Sequence, residues 1–140
     1  MASRLATRPP AILVPPERRE GFLPKLFGLP LMIVGEHTVY TLMEKLSPRD
    51  YGGGLWDFYE RGGEPLFMAP TSKPRFRIEP DITMFEGEVS AEAAGIIVTL
   101  FAFSHLSFRH QSDRLADGYE RLYRYMAGHA EASQILQAID

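Results

Sequence analysis

Residues 51–89 read YGGGLWDFYERGGEPLFMAPTSKPRFRIEPDITMFEGEV, and the punctuation of this stretch decides the fold. Gly52–Gly54 form a loop, because glycine enters positive φ without a Cβ clash. The aromatic run Leu55–Arg61 then reads as a strand, since aromatic side chains suit a pleated, half-buried surface. Gly62-Gly63 is a hairpin-type turn and Leu66–Ala69 a second strand. After a turn at Thr71–Pro74, Arg75–Glu79 alternates strictly: Phe76 and Ile78 face one way, Arg75, Arg77 and Glu79 the other. Pro80-Asp81 turns again and Ile82–Val89 is the fourth strand. Short strands at regular spacing predict an antiparallel meander of about four strands with one wet face.

Helical signals lie on both sides. Upstream, Val39, Leu42, Met43 and Leu46 recur at three- and four-residue spacing, which predicts a helix over Glu36–Leu46, stopped by Ser47-Pro48. Leu29–Val34 reads as a short strand or extended segment. Glu17–Gly28 holds short turns anchored by Phe22, Leu23, Leu26 and Phe27. Residues 1–16 contain four prolines and no period, and read as an extended or disordered arm ahead of a single domain, 17–140. Downstream, Ser90 is an N-cap for a helix over Ala91–Phe108 that is apolar on nearly every side and therefore central. A helix capped by Ser112 or Asp113 runs to Met126, and a last one spans Glu131–Ile139. About four helices around a contiguous sheet define the α+β class.

Composition removes several functions. The chain has no cysteine, so thiol chemistry and Cys-ligated metals are excluded. The longest apolar run, Ala93–Phe103, is too short for a bilayer, and no membrane association is expected. Net charge is −3, made of +2 in residues 1–80 and −5 in residues 81–140. That is neither the basic surplus of a nucleic-acid binder nor the heavy acidic surplus of a DNA mimic.

The candidate chemistry is sparse. Gly52–Gly54 lack the following helix and lysine of a phosphate loop and read as a turn. His37, His105, His110 and His129 show no ligand spacing, and no metal, cofactor or catalytic residue is expected. Trp56 and Phe58 share one strand face and read as core beneath the central helix, leaving Tyr51, Asp57 and Tyr59 as an outer contact patch or simply the solvent side. Glu79, Asp81, Glu86, Glu88 and Glu92 place five carboxylates in fourteen residues without a basic one. They read either as a partner-facing acidic patch or as a solvated strand face, with Glu92 facing the helix dipole. Arg4, Arg8, Arg18 and Arg19 read as a solubilising tail.

Two segments together resemble the antirestriction proteins of the ArdB/KlcA family: YGGGLWDFYE (Tyr51–Glu60) with FMAP (Phe67–Pro70), and FEGEVSAEAAGIIVTLFAFSHL (Phe85–Leu106). FLPKLFG (Phe22–Gly28), TVYTLMEKLS (Thr38–Ser47) and EASQILQAID (Glu131–Asp140) extend the likeness collinearly over residues 15–140. The resemblance implies a small cytoplasmic α+β protein of plasmids or other mobile elements. It would protect incoming DNA from host type I restriction enzymes by protein interaction and without catalysis. The partner implied is the type I enzyme or an associated DNA-processing protein, with no strong nucleic-acid binding. An acidic DNA mimic in the endonuclease channel, or a small-ligand enzyme, are the competing readings. The family carries no residue roles over to this chain.

Overall fold

The computed structural model describes residues 10–140. Its elements run in the order β1 (Ile12–Leu13), a 3-10 turn (Pro16–Gly21), α1 (Phe22–Phe27), a second 3-10 turn (Leu29–Leu31), α2 (Met32–Leu46), β2 (Trp56–Arg61), β3 (Glu64–Pro70), β4 (Arg75–Ile78), β5 (Gly87–Ser90), α3 (Ala91–Arg109), α4 (Asp113–Met126) and α5 (Ala132–Ile139). The class is α+β, with α3 at the centre.

The Ser90 hydroxyl caps α3 by accepting from the Ala93 N–H at 3.1 Å, an arrangement that contributes about 1 kcal/mol. Residues on every side of α3 are buried, among them Ala94, Ile96, Ile97, Leu100, Phe103 and Leu106. By length and composition α3 could cross a membrane, but here it is the core helix, covered by α2, α4, α5 and β3. Each large apolar side chain so buried stabilises the fold by roughly 1.5–3 kcal/mol.

The expected single meander is instead two antiparallel sheets, β1-β2-β3 and β4-β5. The division has two causes. Pro70 and Pro74 bracket the link after β3 and remove ladder donors. The outer edge of β3 is also already occupied, by a helix. Thr99 of α3 accepts a hydrogen bond from the Met68 N–H at 3.2 Å, inside the core. One turn earlier Gly95 lets the helix backbone approach: a Cβ there would lie 2.3 Å from the Met68 carbonyl oxygen. Gly95 and Thr99 thus lay α3 along the strand edge, and β4 pairs with β5 elsewhere.

Three local expectations are corrected, and part of a fourth segment gains a partner. Leu29–Val34 is no strand: Pro30 opens a 3-10 turn that runs into α2 four residues ahead of Glu36. The helix can start there because Gly35 passes over the Phe27 ring, where a Cβ would meet ring carbons at 2.5 Å. The fourth strand is only Gly87–Ser90; the preceding segment bends away and exposes Ile82 and Met84. Of the expected extended or disordered arm, residues 1–9 lie outside the described residues, and Ile12 and Leu13 are extended and pair with Glu60 and Tyr59 of β2. Prolines on both sides bar a helix there, and an extended segment at a sheet edge is what remains.

Trp56 and Phe58 do share the buried face of β2. They lie under α2 and α1 and not under α3, because β3 is the strand next to α3. Trp56 packs on Tyr40 with ring centroids 5.5 Å apart, and Phe58 stacks on Phe22 at 4.4 Å. Glu60 continues that face inward and is 7 % exposed; Arg18 meets its carboxylate at 2.5 Å.

Candidate functional site

The alternation of Arg75-Phe76-Arg77-Ile78 buries Phe76 and Ile78 and turns both arginines outward on β4. Antiparallel pairing sets Arg77 opposite Glu88 and Arg75 opposite Ser90. Diagonal neighbours on this face then meet. Arg75 donates through Nε to Glu88 at 2.8 Å, and Arg77 through Nη2 to Glu86 at 2.5 Å. Glu79 lies 3.4 Å from Arg49 and 3.8 Å from Arg77. Asp50 extends the lattice: its carboxylate accepts the Arg77 N–H at 2.7 Å and the Lys73 ammonium at 3.2 Å.

Titration follows these contacts. The Arg77 backbone N–H, and after it Lys73, holds the Asp50 carboxyl below its ordinary value. The hydrogen bond from Arg77, reinforced by its charge, does the same for Glu86 and raises the Arg77 guanidinium in return. The face is therefore a mixed lattice in which Arg49, Lys73, Arg75 and Arg77 meet Asp50, Glu79, Glu86 and Glu88. Asp81 is exposed at its margin and makes no ion pair among the described residues. The run that looked purely acidic in sequence is interleaved with cations in space.

The other candidates lie elsewhere. Asp57 and Tyr59 are on the outer face of β2 and line a shallow groove of about 420 Å³ with Thr71–Pro74, Ala91 and Glu92. The Tyr59 ring stacks on Phe67 at 4.7 Å, and burial, with Glu92 and Asp57 nearby, pushes its phenol up. Tyr51 is a core partner: its hydroxyl accepts from Trp56 Nε1 at 3.1 Å. The seven candidates thus divide among an ion-paired sheet face, a groove and the Trp56 pocket.

Sequence reasoning missed Arg49, Asp50 and Lys73, which loops carry onto the lattice, and a second cluster around Glu92. Its carboxylate meets His129 Nε2 at 2.8 Å, while His129 Nδ1 accepts the Glu131 N–H at 3.0 Å. That pattern places the proton of the neutral ring on Nε2. Glu131 returns to Ser90, accepting its N–H at 2.9 Å and its hydroxyl. Burial alone would raise the Glu131 carboxyl, but the two Ser90 donors hold it below the ordinary value. The cluster clamps the α4–α5 turn onto the start of α3. The alternation RFRIE was the available signal for the arginine lattice; nothing in sequence signalled the clamp.

No group of three or more His, Asp or Glu side chains among the described residues forms a metal cage. What this fold presents on β4 and β5 is a surface of paired charges on a packed α+β core. Residues 49–140 match the family model described as antirestriction protein. The chain is 41 % identical over 134 residues to an antirestriction protein KlcA of Escherichia coli, covering 93 % of this chain and 94 % of that one. It is 34 % identical over 131 residues to the putative antirestriction protein YubI of Escherichia coli K12, covering 87 % and 89 %. Its fold matches, with a TM-score of 0.82 and 42 % identity over 93 % of this chain and 94 % of the other, a solved structure from work on KlcA and ArdB. That work describes a novel fold and antirestriction activity against type I DNA restriction systems in vivo but not in vitro. The chain belongs to the antirestriction protein family, of the KlcA/ArdB type.

Proposed function

We propose that this protein is an antirestriction factor that protects incoming plasmid or phage DNA from host type I restriction, acting by contact with a protein of the restricting cell and not by chemistry. The observation that carries this reading is likeness over nearly the whole chain to KlcA, in sequence and in fold. The charge lattice supports a contact mechanism over DNA mimicry. A mimic presents carboxylates at phosphate-like density. Here Glu79, Glu86 and Glu88 each lie against an arginine. A surface of alternating sign instead favours one register of one partner, since any shift places like charges together. Activity described in vivo but not in vitro for the relatives fits a cellular intermediary between this protein and the endonuclease.

The test introduces unmodified phage into cells carrying an active type I system, with and without this protein, and counts plaques. Protected plating is expected; equal restriction in both strains overturns the reading. Addition of purified protein to a type I cleavage reaction separates routes: full inhibition there would replace the intermediary by direct blockade.

A further inference from the structure

A polar cleft opens where α1, the β2–β3 hairpin and α4 meet. It consists of two joined hollows of about 310 and 450 Å³ that share Glu64, Asp117 and Arg121 as lining. Arg61, Glu120 and Arg124 line one hollow, Lys25 and Arg114 the other. Five cations face three carboxylates, a local surplus of positive charge in a chain of net −3.

Two of the four guanidinium groups are paired with cleft acids, Arg124 with Glu120 and Arg121 with Glu64, whereas those of Arg61 and Arg114 are anchored without being neutralised. Arg61 lies over Tyr125, 5.2 Å from the ring centroid. Arg114 donates to the Lys25 carbonyl oxygen at 3.0 Å. Among the described residues, Lys25, Arg61 and Arg114 have no carboxylate within ion-pair distance. Arg121 spans the junction, 3.5 Å from both Glu64 and the Pro65 carbonyl oxygen. Anchoring by an aromatic face and by carbonyls leaves the planar forks preorganised for a phosphate, which they match in geometry.

The carboxylates narrow the class of ligand. A duplex draped across the cleft would set phosphates against Glu64, Asp117 and Glu120. A compact ligand avoids that by seating phosphates on the arginines and turning donors to the acids. The hollows have the size of small-molecule sites. We propose that this cleft binds a nucleotide-sized, polyphosphate-bearing ligand. Its phosphates lie on Arg61, Arg121 and Arg114, and its hydroxyl or amino donors on Glu64 and Asp117.

Isothermal titration calorimetry on the purified full chain at low salt tests this, with magnesium-free ATP, inorganic tripolyphosphate, adenosine and a short DNA duplex as separate titrants. Saturable binding of ATP and tripolyphosphate, with none of adenosine, is expected. Arg61→Gln and Arg114→Gln should each weaken ATP binding about tenfold, the equivalent of about 1.4 kcal/mol. Arg109→Gln, at the exposed end of α3, should leave it unchanged. ATP binding tighter than tripolyphosphate supports a role for the carboxylates; equal affinity overturns that part. No saturable binding, indifference to both variants, or preference for the duplex overturns the proposal. Failure here leaves the antirestriction reading standing, because that is measured by plating in cells.

Discussion

Thr99→Val isolates the contact that joins the central helix to the sheet. Valine keeps the shape and branching of threonine and removes the oxygen. Thr99 and Met68 are both 0 % exposed, so the Met68 N–H at 3.2 Å from Thr99 Oγ1 has no water to turn to. β3 has no further strand on that edge. A buried donor left without an acceptor costs about 1–3 kcal/mol. The methyl that replaces the hydroxyl recovers at most about 0.8 kcal/mol of burial. The net expectation is a loss of roughly 0.2–3 kcal/mol, with about 1–2 kcal/mol at its centre. For a chain of this length each kcal/mol lowers Tm by about 3 °C, so a fall of about 3–6 °C is expected. Urea unfolding with an unchanged m value would carry the free energy, and faster hydrogen exchange at Met68 would locate it. If Thr99→Val is as stable as the parent, or more so, packing alone holds α3 on β3 and the edge-capping argument fails.

Gly95→Ala should destabilise by about 1–3 kcal/mol net of a helix-propensity gain near 1 kcal/mol, because the new Cβ meets backbone atoms of Met68 and Ala69; a stabilised variant by thermal melting refutes the close approach. Arg18→Ala strands the buried Glu60 carboxylate and should cost about 1–3 kcal/mol in urea unfolding, whereas Arg18→Ala with Glu60→Gln should recover part of it. Glu131 has a lowered carboxyl in the fold, so the unfolded chain binds its proton first; its contribution is complete above the ordinary value of 4.5 and is lost as pH falls through the folded value. Glu131→Gln should therefore be less stable than the parent at neutral pH, with the gap closing in acid, and a pH-independent gap counts against the clamp. Arg75→Glu with Arg77→Glu makes the β4–β5 face predominantly acidic, with Arg49 and Lys73 as its remaining cations, and should abolish protection in the plating assay while the circular dichroism spectrum stays unchanged; full protection would remove that face from the contact.

Local chemistry wrote much of the fold directly into the chain. The Ser90 and Ser112 caps, the apolar circumference of α3 and the diglycine at residues 62–63, whose φ values are +58° and +80°, all act over a few residues. The period-2 alternation at Arg75–Ile78 likewise settled which side chains face water. The resemblance around Tyr51–Glu60 and Phe85–Leu106 pointed to the family by order and spacing.

Tertiary structure alone decided what lies next to what. Thr99 and Gly95 look like two more small residues in an apolar helix, yet they place α3 on the edge of β3 and split the meander. The carboxylates of residues 79–92 carry no hint that arginines from β4 and the loop before β2 will interleave with them. The cleft cations come from α1, a hairpin and α4, far apart along the chain. Periodicity fixes which face a side chain takes, because that follows from the backbone repeat of its own element. The partner across that face depends on strand register and helix docking, which the packing of the whole core sets.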